Sequence, residues 1–308
     1  MNFTLHQLRI FMVVVEKKSI TRASEELHMT QPAVSIQLKN LQQQFDIPLT
    51  EVIGRKLYIT DFGQELYTIA EKILEEVSTI NYRTHSFQGM LSGKLRIAVV
   101  STGKYVMPYY LKDFISAHPN IDIRMDVTNR SKVINSLENN EVDFSLVSIP
   151  PDSLETGQEV LMPNKLYLTT ANMKEYSLNK ITAKNVFDNI PLIYREAGSG
   201  TRLKMQEFFS QKHIIPKVKL ELATSEAVKQ AVMAGLGCSV LSLLSMKSEL
   251  KEKELIIIPV KGFPIKTNWT LIWLPKKKFS VVAQAYLNHI RLNKQAIYQQ
   301  HFKWIEKY

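Results

Sequence analysis

Ser19-Ile20-Thr21-Arg22-Ala23-Ser24-Glu25-Glu26-Leu27-His28-Met29-Thr30-Gln31-Pro32-Ala33-Val34-Ser35 reads as one short helix, a turn and the start of another. Ser19 begins the earlier of these two helices, the second of the chain, with Ala23 and Leu27 on its inner face. His28-Met29 makes a tight connection, and Thr30 is an N-cap type for the next helix. Pro32 lies in that helix's first turn, where its missing N–H costs nothing. Val34, Leu38, Leu41 and Phe45 carry the apolar stripe onward at helical spacing. Ala23 is small where the two helices must approach, which is helix-turn-helix geometry. Upstream, Leu5, Leu8, Phe11, Met12 and Val15 describe an amphipathic first helix.

The outer face of the third helix carries Gln31, Ser35, Gln37 and Lys39. Glutamine amides match adenine edges in a major groove, and serine bonds base edges or phosphate. Thr30 and the first amides of the helix suit a phosphate. A solvated face of a three-helix bundle is the competing reading. The stretch 52–60 weighs against it, since it reads as a hairpin with Arg55 and Lys56 at its tip. A cationic wing beside such a helix is placed to track phosphates or enter a minor groove. The candidate DNA-contacting set is Arg22, Thr30, Gln31, Pro32, Ser35, Gln37, Lys39, Arg55 and Lys56.

Net charge is a poor guide to this surface. The chain of 308 residues carries +10, yet residues 1–60 hold seven Lys/Arg against five acids. Residues 261–308 hold nine against one. Apolar residues make up 45%, enough for a core in each of about two domains. No apolar run reaches the ~18 residues of a membrane span. The N-terminal stretch lacks a signal-peptide pattern, so a cytoplasmic protein with no membrane association is expected. The single cysteine, Cys238, permits neither an intrachain disulfide nor a thiolate zinc site. It lies in an apolar stretch and reads as core.

From 61 to about 88, Phe62, Leu66, Ile69, Ile73, Val77 and Ile80 step by three or four, with charges on the other faces. This predicts a long helix whose seam pairs with a second helix, hence a homodimer. Two recognition helices would then meet a pseudo-palindromic duplex site. Gly89 and Gly93 mark the boundary to the next domain.

Residues 94–149 alternate strand and helix: strands at 94–100, 121–127 and 142–148, helices at 105–117 and 130–139. A second set follows, with strands near 165–170, 192–194, 219–222, 239–241 and 255–260. Its helices lie near 202–211, 225–234 and 243–249, and strand 269–274 with helix 280–293 returns to the first lobe. The expected class is α/β with an N-terminal all-α winged helix-turn-helix. A long linker helix joins that unit to a two-lobed, periplasmic-binding-protein-like effector domain with its cleft at the strand C-termini. The expected divisions are 1–60, 61–89 and 90–308, with lobe I at about 94–163 and 268–295 and lobe II at about 164–267. Candidate effector-binding residues at the strand ends are Ser101, Thr102, Lys104, Asn129, Arg130, Arg195, Gly198, Ser199, Thr201, Arg202, Thr224 and Ser225. Hydroxyl-rich helix starts with nearby cations favour a small anion. Ordinary capping is the competing reading of any one turn; the recurrence at four strand ends speaks for the cleft.

Leu8-Arg9-Ile10-Phe11, Lys18 through His28, Thr30 through Ser35, and Leu57-Tyr58-Ile59-Thr60-Asp61-Phe62-Gly63 together resemble the LysR-type transcriptional regulators. Two positions depart from the family pattern: Ile36 and Val52 stand where cations are common. Ser101-Thr102-Gly103-Lys104-Tyr105, Asn129-Arg130, Asn140-Glu141-Val142-Asp143 and Gly198-Ser199-Gly200-Thr201-Arg202 resemble the CbbR-like, Calvin-cycle-operon subfamily. The resemblance implies a dimer through the linker helix, often assembled into tetramers. It also implies an effector that is a phosphorylated metabolite or nicotinamide nucleotide, and no cofactor. The tail 296–308 has no counterpart in it.

An enzyme is the first rival. The seven histidines are scattered without metal-site spacing, and no Walker loop or nucleophile-elbow motif is present. No catalytic residue and no metal site is expected. The second rival, a solute-binding receptor without a DNA role, would need a signal peptide or anchor.

Overall fold

A computed structural model describes residues 2–54, 56–87, 90–172 and 186–308, apart from the side chains of 75, 78, 79, 81–87 and 188. They form two compact units, Met1–Met90 and Leu91–Tyr308.

In the first unit, α1 (Leu5–Lys17), α2 (Ile20–Glu26) and α3 (Gln31–Gln42) enclose a core of Leu8, Phe11, Val14, Ala23, Val34, Leu38 and Leu41. Thr4 and Gln7 cap α1 reciprocally, and the Ser19 hydroxyl accepts from the Arg22 amide at the start of α2. The stripe on α1 differs from the sequence expectation. Ile10 and Val14 are buried, whereas Leu5 is 46% exposed. Helix α1 packs against α2, α3 and the long helix Asp61–Phe87, so its buried arc is wide, but Leu5 sits in the first turn at the edge of the bundle.

Strands β1 (Thr50–Ile53) and β2 (Lys56–Ile59) form an antiparallel wing, with Ile53 opposite Lys56 across a two-residue turn. Gly54 takes the positive φ of +56° that this tight turn needs. Arg55 lies outside the described residues. Helix α4 (Asp61–Phe87) has 27 residues and extends about 40 Å. Its seam is divided: Phe62, Leu66, Ala70 and Ile73 pack into the unit's own core, whereas Ile69 and Ile80 are exposed. The sequence reading assigned all of that seam to a second helix. Helix α1, which packs along α4 and joins it through the Tyr67 hydroxyl on Glu16, is what captures its first turns. At Gly63 a Cβ would stand 2.0 Å from the Leu49 carbonyl oxygen, so this contact tolerates no side chain.

The second unit begins with β3 (Gly93–Val100), a 3-10 turn over Ser101–Tyr105 and α5 (Met107–Ala117). Then come β4 (Ile121–Thr128), α6 (Arg130–Glu138), β5 (Phe144–Val147) and β6 (Gly157–Ala171). Next are α7 (Val186–Asn189), β7 (Leu192–Arg195), α8 (Gly200–Lys212), β8 (Val218–Leu222), α9 (Ser225–Met233) and β9 (Ser239–Ser242). A 3-10 turn at Leu243–Met246 leads into α10 (Lys247–Lys251), β10 (Leu255–Ile257), β11 (Ile265–Trp273) and α11 (Val281–His301).

Strands β4, β3 and β5 are parallel, as alternation predicts, and β7 pairs in parallel with β8. The rest is not. β6 is one 15-residue strand, antiparallel to β11 from Gly157–Trp273 to Leu166–Ile265, and farther along it pairs antiparallel with β9 and β10. The crossings between the two halves are thus themselves strands of one sheet. Two apolar cores flank it, one around Phe114, Phe144, Trp269 and Tyr286, the other around Phe187, Phe208 and Phe209. Helix α11 runs past residue 293, where the sequence reading ended it. Its last turn and the 3-10 turn at Lys303–Lys307 bury Ile297, Tyr298, Phe302 and Ile305 in the first core. Lys165 Nζ donates to the carbonyls of Ile305 (3.1 Å) and Tyr308 (2.8 Å), tying the chain end to β6.

Candidate functional site

Helix α3 turns Gln31, Pro32, Ser35, Ile36 and Lys39 to solvent and Val34, Leu38 and Leu41 inward. Thr30 is the N-cap in extended conformation, and its hydroxyl makes no capping bond. It and the first amides of α3 are therefore open to an anion. Gln37 behaves differently from its neighbours. It is half-buried, and its Oε1 accepts from Gln7 Nε2 at 3.2 Å, so its amide is oriented from α1. This Gln7–Gln37 bond is a contact that the stripe-based reading had no means to find. Arg22 on α2 and Lys56 on β2 are exposed. Exposed apolar residues also occur here: Ile36 at 57% and Val52 at 69%.

In the second unit the strand-end residues converge. Ser101 and Thr102 follow β3, Asn129 and Arg130 open α6, Arg195 ends β7, and Ser199 and Thr201 open α8. All line one cleft, together with Ser148 after β5. Ser225, the first residue of α9, joins it: its hydroxyl lies 3.1 Å from that of Ser101 and bonds the Arg195 guanidinium. Arg195 also donates to Ser101 (3.3 Å) and pairs in bidentate fashion with Glu196 (2.7 and 2.8 Å). It is 4% exposed, so Glu196 balances a buried charge and Arg195 serves chiefly as a scaffold.

Arg130 is in a different state. Its Nε donates to the Ile149 carbonyl (2.8 Å) and its Nη2 to that of Pro150 (3.1 Å). Burial lowers its pKa, with Asp152 and Glu207 acting in the opposite direction. Its position is held by carbonyls, and Asp152 and Glu207 act on its charge without a direct ion pair among the described residues. Asn129 caps α6 by accepting from the Lys132 amide at 3.0 Å, whereas Ser199 makes no capping bond and leaves the first amides of α8 open.

The cleft is nearly shut. Its free volume is about 10 Å³, roughly one water. Beside it, sharing Arg130 and Ser199, lies an outer pocket of about 310 Å³ that includes Ser131, Gly198 and Arg202. Arg202 itself is bound to Glu221 (2.7 Å) and to the Arg195 carbonyl (2.9 Å). The Ser131 amide donates to the Gly198 carbonyl at 3.2 Å, closing the cleft from outside. Gly198 has φ +87°, and a Cβ there would stand 2.7 Å from Ser131 Oγ.

Two nominated residues lie elsewhere. Lys104 is exposed and lines a separate pocket, because the 3-10 turn after β3 carries it on past the strand end. Thr224 is an exposed N-cap whose hydroxyl accepts from Ala227 N at 3.0 Å and does not line the cleft. Conversely, Ser148, Glu196 and Ser131 were missed. Ser148 could have been found by applying the strand-end rule to β5; the other two depend on pairings across the cleft. Burial pushes the Cys238 thiol up to about 12, which keeps it protonated and unreactive. Among the described residues no helix is long and apolar enough to cross a membrane.

Comparison with known proteins accounts for both units. Residues 5–64 match the bacterial regulatory helix-turn-helix protein, lysR family, and residues 88–294 match the LysR substrate binding domain. The HTH-type transcriptional activator CmpR of Synechocystis sp. PCC 6803 is 36% identical over 96% of this chain and 97% of its own length. The RuBisCO operon transcriptional regulator of Acidithiobacillus ferrooxidans is 34% identical over 93% of each chain. Among solved structures, the regulatory domain of Synechocystis PCC6803 CcmR in complex with 2-PG is 34% identical, with a TM-score of 0.62 over 66% of this chain and 98% of that one. Full-length CbnR complexed with its target DNA has a TM-score of 0.72 over 94% of this chain and 99% of that one, at 18% identity, and shows the shared fold. With both halves matched, and with the exposed recognition helix and hydroxyl-lined cleft in place, this chain belongs to the LysR family and is a DNA-binding transcriptional regulator similar to the CbbR-like members.

Proposed function

We propose that the cleft binds a small phosphorylated carboxylate and that its occupancy controls how two copies of the DNA-reading unit meet their operator. The observation that carries this reading is Arg130, a half-buried guanidinium held by two carbonyls, beside the uncapped start of α8. Hydroxyls of Ser101, Thr102, Ser148 and Thr201 complete an anion-binding surface. The CcmR regulatory domain, a relative of known structure, was solved with 2-PG, that is 2-phosphoglycolate, an anion of this type. No cofactor and no catalytic step enter the scheme, and a regulator acting on bacterial DNA works in the cytoplasm.

With little free volume in the cleft, an effector must part Ser131 from Gly198, or Ser101 from Ser225, before it is enclosed. Opening and reclosing around the anion is the conformational signal. Residues 1–60 supply the DNA contacts, 61–89 the dimer contact through α4, and 90–308 the sensor. Base reading falls to Gln31 and Ser35, with Gln37 held by Gln7. Arg22, Thr30, Lys39, Arg55 and Lys56 lie along the phosphates, and Pro32 sets the start of α3. Two such units on a twofold axis fit a pseudo-palindromic duplex.

Isothermal titration of the full-length protein with 2-phosphoglycolate tests the sensor half. Saturable binding is expected, falling at least tenfold in Arg130→Ala while operator binding by gel shift persists. Undiminished binding in Arg130→Ala would overturn the assignment of the cleft.

A further inference from the structure

The pocket that took Lys104 away from the cleft is a site in its own right. We infer that the effector unit carries a second small-molecule site, for a planar aromatic anion, between the 3-10 turn after β3, helix α10 and the C-terminal tail. Its volume is about 470 Å³, within the ~300–1,000 Å³ typical of metabolite sites.

Its chemistry differs from that of the cleft. Lys104 Nζ lies 5.1 Å from the centre of the Tyr105 ring, and Lys247 Nζ lies 4.7 Å over Trp304. Both lysines are exposed, and among the described residues neither pairs with a carboxylate. Lys229, the third lysine of the pocket, is already taken by Glu249 and Glu226. Two uncommitted cations thus stand on one concavity. Its walls are rings: Tyr109, 44% exposed, packs on His301 (centroids 4.9 Å) and Phe302 (5.2 Å), and Trp304 adds its face. Rings offer stacking to a planar ligand, and the ammonium groups offer charge to its anionic end. A solvated lysine resting on a ring explains either contact alone. It does not explain two of them, from opposite ends of the unit's sequence, converging on one cavity.

The aromatic wall is built before any ligand arrives. Phe302 and Ile305 are 2% and 1% exposed, and Tyr167 OH joins Lys165 in holding the Tyr308 carbonyl, at 2.8 Å. Trp304 is carried on this anchored turn. The pocket also shares two elements with the cleft. The turn that bears Ser101 bears Tyr105, whose hydroxyl donates to Glu226 Oε2 at 3.3 Å, and α9 bears both Ser225 and Lys229. A ligand gripping Lys104 and Lys247 therefore joins the turn that bears Ser101 to α10, whose Glu249 pairs with Lys229 on α9, the helix that bears Ser225.

The test uses the full-length protein and 1-naphthyl phosphate, with inorganic phosphate as the same anion without a ring. Calorimetry should show saturable binding at least tenfold tighter for the naphthyl ester. That binding should fall at least tenfold in the surface double variant Lys104→Gln/Lys247→Gln. Hydrogen exchange should slow at residues 104–109 and 301–304. Absence of saturable binding overturns the inference, and so does protection confined to 129–131 and 195–202, which would put the probe in the cleft. Undiminished binding by a double variant that melts like the parent also overturns it. Arg130→Ala separates the two sites, since it should lose 2-phosphoglycolate and keep the naphthyl ester.

Discussion

The face proposed to read DNA and the cleft proposed to sense the effector use similar residues in opposite states. Gln31, Ser35 and Lys39 are exposed on α3, and their helix is held by a separate apolar stripe. Ser101, Arg195 and Ser225 are bonded to one another, and Arg195 and Ser225 are buried. On α3, recognition and stability reside in different side chains. In the cleft the same groups hold the two halves in contact and line the space proposed for the effector. A substitution on α3 should therefore alter binding alone, whereas one in the cleft alters stability, closure and binding together.

The strongest challenge to this contrast is Arg195→Ala. It strands Glu196 and two hydroxyls in a closed cleft, and breaking a buried pair costs ~3–5 kcal/mol. Because the Glu196 side chain is 18% exposed, the lower end is expected, read as a lowered urea midpoint for the second unit. The DNA-reading unit should keep its own transition. Next comes Gly198→Ala. Left-handed backbone costs a non-glycine residue about 1–2 kcal/mol, and the Ser131 contact must also give way. Effector affinity should drop roughly tenfold by calorimetry, with operator affinity in the absence of effector unchanged.

On α3, Ser35→Ala should cost about 1–3 kcal/mol of base discrimination by competitive gel shift. Its melting temperature should match the parent; a fall of several degrees would erase the distinction between the two regions. Gln7→Ala sharpens the point from the other side: it should weaken reading through Gln37 without touching DNA, and its lost capping bond to the Thr4 amide should also lower the melting temperature of the first unit. The smallest effect is expected of Lys56→Ala, which should reduce the salt dependence of operator binding by about one counterion and leave sequence preference intact.

The legibility of the two regions differs for the same reason. On α3, burial is set by local periodicity, so Val34, Leu38 and Leu41 could be assigned inward from spacing, and Ser35 and Lys39 outward. In the cleft, the strand-end rule found Ser101, Thr102, Asn129, Arg130, Arg195, Ser199 and Thr201, since a parallel strand followed by a helix brings its end residue to the rim. The same rule misplaced Lys104 and Thr224, because a 3-10 turn and a capping bond redirect single side chains within a few ångströms. Periodicity was equally silent on Leu5, whose spacing is correct but whose turn lies at the edge of the bundle.

Sequence alone therefore determined what depends on neighbours a few residues apart: the helix-turn-helix, the wing, the alternating strands and helices, and the hydroxyl-rich strand ends. Tertiary structure decided what depends on pairing across the chain. It divided the α4 seam, ran β6 as one strand beside β11, and folded the tail onto Lys165 and Tyr167. It also distinguished Arg195, neutralised by Glu196, from Arg130, held by carbonyls and in no direct ion pair among the described residues. The physical reason is range. Helical and strand periodicity is written in successive residues, but a buried charge acquires its role from whichever group the fold brings within 3 Å, and no local pattern records that choice.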